Sequence, residues 1–136
     1  MKPFGPTLPF FFLLAAAFIT VACADSQMRN AQSVTIMPAT ADAQTFPNGQ
    51  VQFTATGHYN TSPETVTPLT ASWGVCLQGS NTADVSITSN GLAQCSAGAT
   101  GNYTVWGYVI NSPACTAITA CGGGCTVVGT AQLTCP

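Results

Sequence analysis

The sequence predicts an all-β domain, an antiparallel sandwich of about seven short strands. Beyond residue 24 the apolar residues recur with period two and nowhere with helical spacing. Turn residues, among them Pro47-Asn48-Gly49, Pro63, Pro68 and Asn90-Gly91, punctuate the chain at intervals suited to short strands. No helical run separates the strands, so a βαβ architecture is excluded. A length of 136 residues allows one domain of ordinary size and disfavours two.

Residues 1–24 read as a secretory signal. Lys2 supplies the positive start, and Phe10 to Ala22 are apolar but for Thr20. That stretch is too short for a spanning helix of roughly 20 residues and suits the apolar part of a signal peptide, roughly 7–15 residues. Ala22-Cys23-Ala24 fits a small-x-small site for cleavage before Asp25. Alternatively, Ile19-Thr20-Val21-Ala22-Cys23 resembles a bacterial lipobox with Thr20 in the place of the usual leucine. Cys23 would then be the acylated first residue, and this is the favoured route, since a cysteine at the end of such a stretch is otherwise uncommon. Both routes predict export, to the cell envelope through a lipid on Cys23 or to the medium.

Residues 25–32 are polar and read as a tether, with the domain running over 33–136. Val34 and Ile36 alternate with Ser33, Thr35 and Met37 and stop at Pro38, the pattern of an edge strand. Val51, Phe53, Ala55 and Gly57 alternate with polar neighbours through His58, the cleanest half-buried strand. Asn60 to Pro68 read as a loop, then Ala71, Trp73 and Val75 alternate up to Cys76. Gln78 to Asn81 read as a loop, Val85 and Ile87 as a short strand, and Leu92 to Cys95 as another after the Asn90-Gly91 turn. Tyr103 to Ile110 are apolar on both faces, as in a strand at the middle of a sheet, and Val127 to Cys135 alternate again.

These strands carry a family resemblance. Ser33-Val34-Thr35-Ile36-Met37-Pro38-Ala39 resembles the Val-Thr-Val-x-Pro opening of bacterial immunoglobulin-like domains, group 2. Asn48-Gly49-Gln50-Val51-Gln52-Phe53-Thr54-Ala55-Thr56-Gly57 is similar to that family's second strand, and Trp73 to its single core tryptophan. Ala83-Asp84-Val85-Ser86-Ile87, Asn90-Gly91-Leu92-Ala93 and Gly101-Asn102-Tyr103-Thr104-Val105 resemble its later strands. The resemblance covers residues 33–135 and departs from the family in its cysteines and in the insertion from Asn111 to Gly124. It implies an immunoglobulin-like sandwich without catalytic residues, of the kind that serves as a spacer or adhesive module in surface and secreted proteins.

The charge pattern narrows the function classes. With 2 basic and 4 acidic side chains in the whole chain, the part beyond the leader keeps Arg29 against Asp25, Asp42, Glu64 and Asp84. Nucleic acid and anionic membrane surfaces are excluded as partners, because both need clustered Lys and Arg. His58 is the one histidine, placed by parity on a polar face, and has no second histidine to share a metal or a proton relay. The carboxylates are too scattered to pair for hydrolysis or to cluster around calcium. No nucleophile elbow, phosphate loop or dinucleotide fingerprint occurs. The expectation is a non-enzyme without cofactor or metal.

Beyond Cys23 stand six of the seven cysteines: Cys76, Cys95, Cys115, Cys121, Cys125 and Cys135. In an exported domain they read first as disulfides. A Cys76–Cys95 bridge would close a loop of about 20 residues, worth roughly 3 kcal/mol. The other four lie near the C-terminus, where pairing among themselves is favoured over a zinc site or a redox pair at Cys121-Gly122-Gly123-Gly124-Cys125. Trp106 and Tyr108 share one strand face, opposite Tyr103 and Val105. Exposed, they could stack on sugar rings or anchor a protein; otherwise that face packs beneath a neighbouring loop. The leading expectation is a disulfide-stabilised structural or adhesive surface module whose partner is a surface protein or glycan. The alternative is a carbohydrate- or ligand-binding module using Trp106, Tyr108 and the 111–125 loop.

Overall fold

The computed structural model describes residues 29–110, 121 and 126–136. The leader with Cys23 and Asp25, Cys115, Cys125 and most of the 111–125 loop lie outside the described residues. The fold is all-β, with eleven strands among the described residues in place of the expected seven or so. They form three sheets, ordered β1-β4-β5, β2-β11-β10-β6-β7 and β3-β9-β8.

In chain order the strands are β1 (Ala31–Met37), β2 (Thr40–Asp42), β3 (Gln50–Gln52), β4 (Thr54–Tyr59), β5 (Thr65–Val66) and β6 (Ser72–Leu77). They continue with β7 (Ser80–Asn81), β8 (Val85–Ile87), β9 (Leu92–Cys95), β10 (Gly101–Ile110) and β11 (Thr126–Cys135). Four differences raise the count. The strand expected over residues 50–58 is interrupted at Phe53, whose N–H donates to the Gly91 carbonyl at 2.9 Å. Its first half, β3, pairs with β9, and its second, β4, with β1 and β5, so two of the sheets meet within the run 50–59. β5 and β7 fall where loops were expected; each has two residues, too few to show a period in sequence. β2 follows the Pro38 stop and pairs with β11 in parallel, whereas the other pairings among the described residues are antiparallel. β1 begins within the stretch read as a tether, because Ala31 is 4 % exposed and opposes Tyr59. Arg29 secures this start, its guanidinium 3.8 Å from the Tyr59 ring centre and donating to the Pro63 carbonyl at 2.6 Å.

One core joins all three sheets. Val34, Ile36 and Ala55 come from the first, Val75, Tyr103, Val105, Ala131 and Leu133 from the second, and Val51, Val85 and Ala93 from the third. Phe53 is buried at the strand break, so the interrupted ladder still delivers a large apolar side chain, worth about 1.5–3 kcal/mol. The period-two reading holds where it was cleanest: Val51, Phe53, Ala55 and Gly57 are buried. β1 is an edge and β10 the centre of the five-stranded sheet, as their patterns predict. A single-turn 3-10 helix, Ala43–Thr45, precedes a tight turn over Pro47–Gly49 in which Asn48 takes a left-handed φ of 59°, and the Asp42 carboxylate caps the helix by accepting from the Gln44 N–H at 3.0 Å.

Candidate functional site

The central strand β10 gives each of its faces a different environment. Tyr103 and Val105 point into the main core, while Trp106 and Tyr108 point to the outer face of the five-stranded sheet. Their rings stack at 4.9 Å between centroids with 27° between planes. Trp106 opposes Gly74 on β6, and a Cβ at Gly74 would overlap the indole, so only glycine lets the ring lie against the backbone of β6. The reciprocal pair sits one residue along on the opposite face. There Trp73 opposes Gly107, and a Cβ on Gly107 would lie 3.1 Å from the Trp73 ring. The two tryptophans are therefore held on opposite sides of the same sheet, each over a glycine of the other's strand.

Of the two placements open to Trp106 and Tyr108, exposed or covered, the structure shows the covered one. They are 6 % and 7 % exposed, and Cys76, Cys121 and Val128 pack against them. Both rings are thus closed off from solvent, and the Trp106 Nε1 is buried with no hydrogen-bond partner among the described residues.

The Cys76–Cys121 disulfide lies on this same face. Cys76 opposes Thr104, six residues back along β10 from Ile110, or about 20 Å at roughly 3.3 Å per residue. Cys121 is thus fixed far from the open end of the β10–β11 pair. The second bridge, Cys95–Cys135, ties the end of β9 to the end of β11 and so links two sheets.

These bridges correct two expectations. Cys76 and Cys95 do not pair with each other: Cys76 faces the outer aromatic cluster, whereas Cys95 packs against the main core. Nor do the C-terminal cysteines pair only among themselves, since Cys121 and Cys135 reach back 45 and 40 residues. A zinc set of Cys115, Cys121, Cys125 and Cys135 loses two thiolates to these bonds, and the Cys121/Cys125 redox pair loses one. Sequence spacing could not reveal this, because connectivity follows from the faces on which the strands present their sulfurs.

Among the titratable groups, His58 is exposed, its Nδ1 3.4 Å from the Thr65 hydroxyl. Asp84 is exposed and accepts from the Tyr103 hydroxyl at 3.4 Å. Burial, then the Asp84 charge, push the Tyr103 phenol above its usual value. Among the described residues, no three His, Cys, Asp or Glu side chains gather where a metal could bind.

A cavity of about 420 Å³ opens at the strand break, where Phe53, Leu69 and Trp73 meet Thr54, Thr70 and Asn90. Its walls are cross-tied. The Leu69 N–H donates to the Ala55 carbonyl at 2.8 Å, and Gln52 Nε2 donates to the carbonyls of Phe53 and Asn90 at 2.8 and 2.7 Å. Trp73 is half-buried, with its ring close over Gly91 as well as Gly107. Sequence reasoning assigned Trp73 to the core and overlooked this opening. The signal lay in the two loops that converge there, Pro68-Leu69-Thr70 and Ser89-Asn90. A second groove of about 410 Å³ lies beside Phe46, Ala99 and Cys95. No protein-family model matches the chain, and no curated protein sequence does either.

Proposed function

We propose that this chain is an exported, non-catalytic surface module with a structural or adhesive role, built on an immunoglobulin-like sandwich related to the bacterial group 2 domains. The observation that carries the reading is the commitment of four cysteines to two long-range disulfides, one of which links separate sheets. Such cross-links are the usual reinforcement of small domains in oxidising compartments. The apolar leader ending at Cys23 supports export, with a lipid on that residue as the favoured anchor.

Three features favour the sandwich. The first strand region divides between sheets, β1 pairing with β4 and β2 with β11, as chains do at the corners of packed sheets. The run 50–59 joins two of the three sheets into one surface. That surface and the five-stranded sheet share one core. Against the family pattern, both bridges and the long β10–β11 connection are additions.

Fractionation of the source cells, with protease treatment of intact cells and mass analysis of the N-terminus, tests the proposal. The expected result is a protease-accessible protein whose chain starts at an acylated Cys23 or at Asp25. A protein retained in the cytoplasm with an intact leader overturns it.

A further inference from the structure

We infer that the cavity at Trp73 is a binding site for a neutral saccharide. The chemistry of its lining selects that class. Its lining residues include tryptophan, phenylalanine and leucine beside threonine, serine, asparagine and glutamine, and none carries an ionisable side chain. A charged ligand would lose its hydration there without finding an opposite charge. A sugar ring presents the complementary pattern, an apolar C–H face ringed by hydroxyls. The half-buried indole lines the cavity beside Leu69 and Phe53 and gives the C–H face an apolar wall to pack against. For the hydroxyls there are the side-chain oxygens of Thr54 and Thr70 and the Asn90 amide nitrogen, none of which makes a hydrogen bond among the described residues.

The site is small and already formed. Its volume of about 420 Å³ falls at the lower end of the roughly 300–1,000 Å³ typical of ligand cavities, which suits one short sugar unit rather than a polymer groove. Hydrogen bonds from Phe53, Leu69 and Gln52 fix the segments around it, so binding orders little new backbone. Trp106 offers no such wall, because its ring is enclosed against Gly74, Tyr108 and Cys76. The inference deepens the adhesive reading above and rests on it for access to glycans; the geometry of the cavity is independent of that reading.

The test is a two-dimensional NMR titration of the disulfide-bonded protein with neutral mono- to tetrasaccharides of glucose, galactose, mannose and N-acetylglucosamine. The chain has two tryptophans, so two indole N–H signals report on the two sheet faces separately. The expected result is a saturable shift of the Trp73 signal with at least one sugar and none of the Trp106 signal. Thr70→Ala and Asn90→Ala each weaken the affinity roughly 2- to 10-fold, the worth of one hydrogen bond, while the remaining spectrum stays folded. Absence of a Trp73 shift with every sugar at tens of millimolar overturns the inference. So does a shift that both rim variants leave unchanged. With the protein shown to be exported and fully oxidised, such a failure removes the saccharide site alone and leaves the structural role standing.

Discussion

Replacing Cys95 and Cys135 with alanine removes the bridge that ties the end of β9 to the end of β11. The two residues are 40 apart in sequence, and closing a loop of that size restricts the unfolded chain by about 4 kcal/mol. The second bridge spans 45 residues and its loop interleaves with the first, so it already restricts part of the same chain. The entropic loss is therefore about 3–4 kcal/mol. Cys135 is also buried against the core, and losing its sulfur leaves a small void costing about 1 kcal/mol. A total of about 4–5 kcal/mol is a large part of the roughly 5–15 kcal/mol available to a domain. Urea unfolding of the parent and the Cys95→Ala/Cys135→Ala variant, followed by circular dichroism and tryptophan fluorescence, measures the difference. The variant should also show a larger m-value, because its unfolded state is less compact. A loss below about 1 kcal/mol with an unchanged m-value would refute the reasoning.

Three further outcomes are expected. Gly74→Ala forces the new methyl group against the Trp106 indole and costs about 1–3 kcal/mol, offset by less than about 1 kcal/mol from a stiffer unfolded chain; thermal unfolding that shows a stabilised variant contradicts the packing. Trp106→Phe removes a buried N–H that has no partner among the described residues, so its cost in urea unfolding stays below about 2 kcal/mol, and a loss above about 3 kcal/mol contradicts that placement. The Tyr103 phenol is raised in the folded state, first by burial and then by Asp84. Its contribution to stability is full below the ordinary tyrosine range, near pH 10, and is lost as pH rises through the higher folded value. Asp84→Asn lowers that folded value and makes the alkaline loss shallower, as followed by tyrosinate absorbance and stability against pH; an unchanged or steeper loss contradicts the assignment.

Most of the framework was legible wherever a strand has one wet face, because alternation then records burial directly. Val51 to Gly57 and Ala131 to Cys135 show this, and their inward positions are buried as the pattern predicts. The reading faltered where a residue's fate depends on what crosses the sheet. Trp106 and Tyr108 alternate like residues of an exposed or a covered face alike, and only the Cys76–Cys121 bond and Gly74 show which. β2, β5 and β7 escaped because two or three residues cannot display a period, and their pairing is decided by strands distant in sequence. The cavity at Trp73 was hidden for a related reason: its rim is assembled from loops far apart in the chain, each an ordinary turn by itself.

The account depends above all on which sulfurs are joined. Proteolysis of the protein from its native envelope or medium under non-reducing conditions, with mass mapping of the linked peptides after free thiols are blocked, reads this directly. The account predicts peptides joined through Cys76–Cys121 and Cys95–Cys135, with no blocked thiol at those four positions. A Cys76–Cys95 link, or alkylated Cys121 or Cys135, would contradict it and return the C-terminal cysteines to redox or metal chemistry.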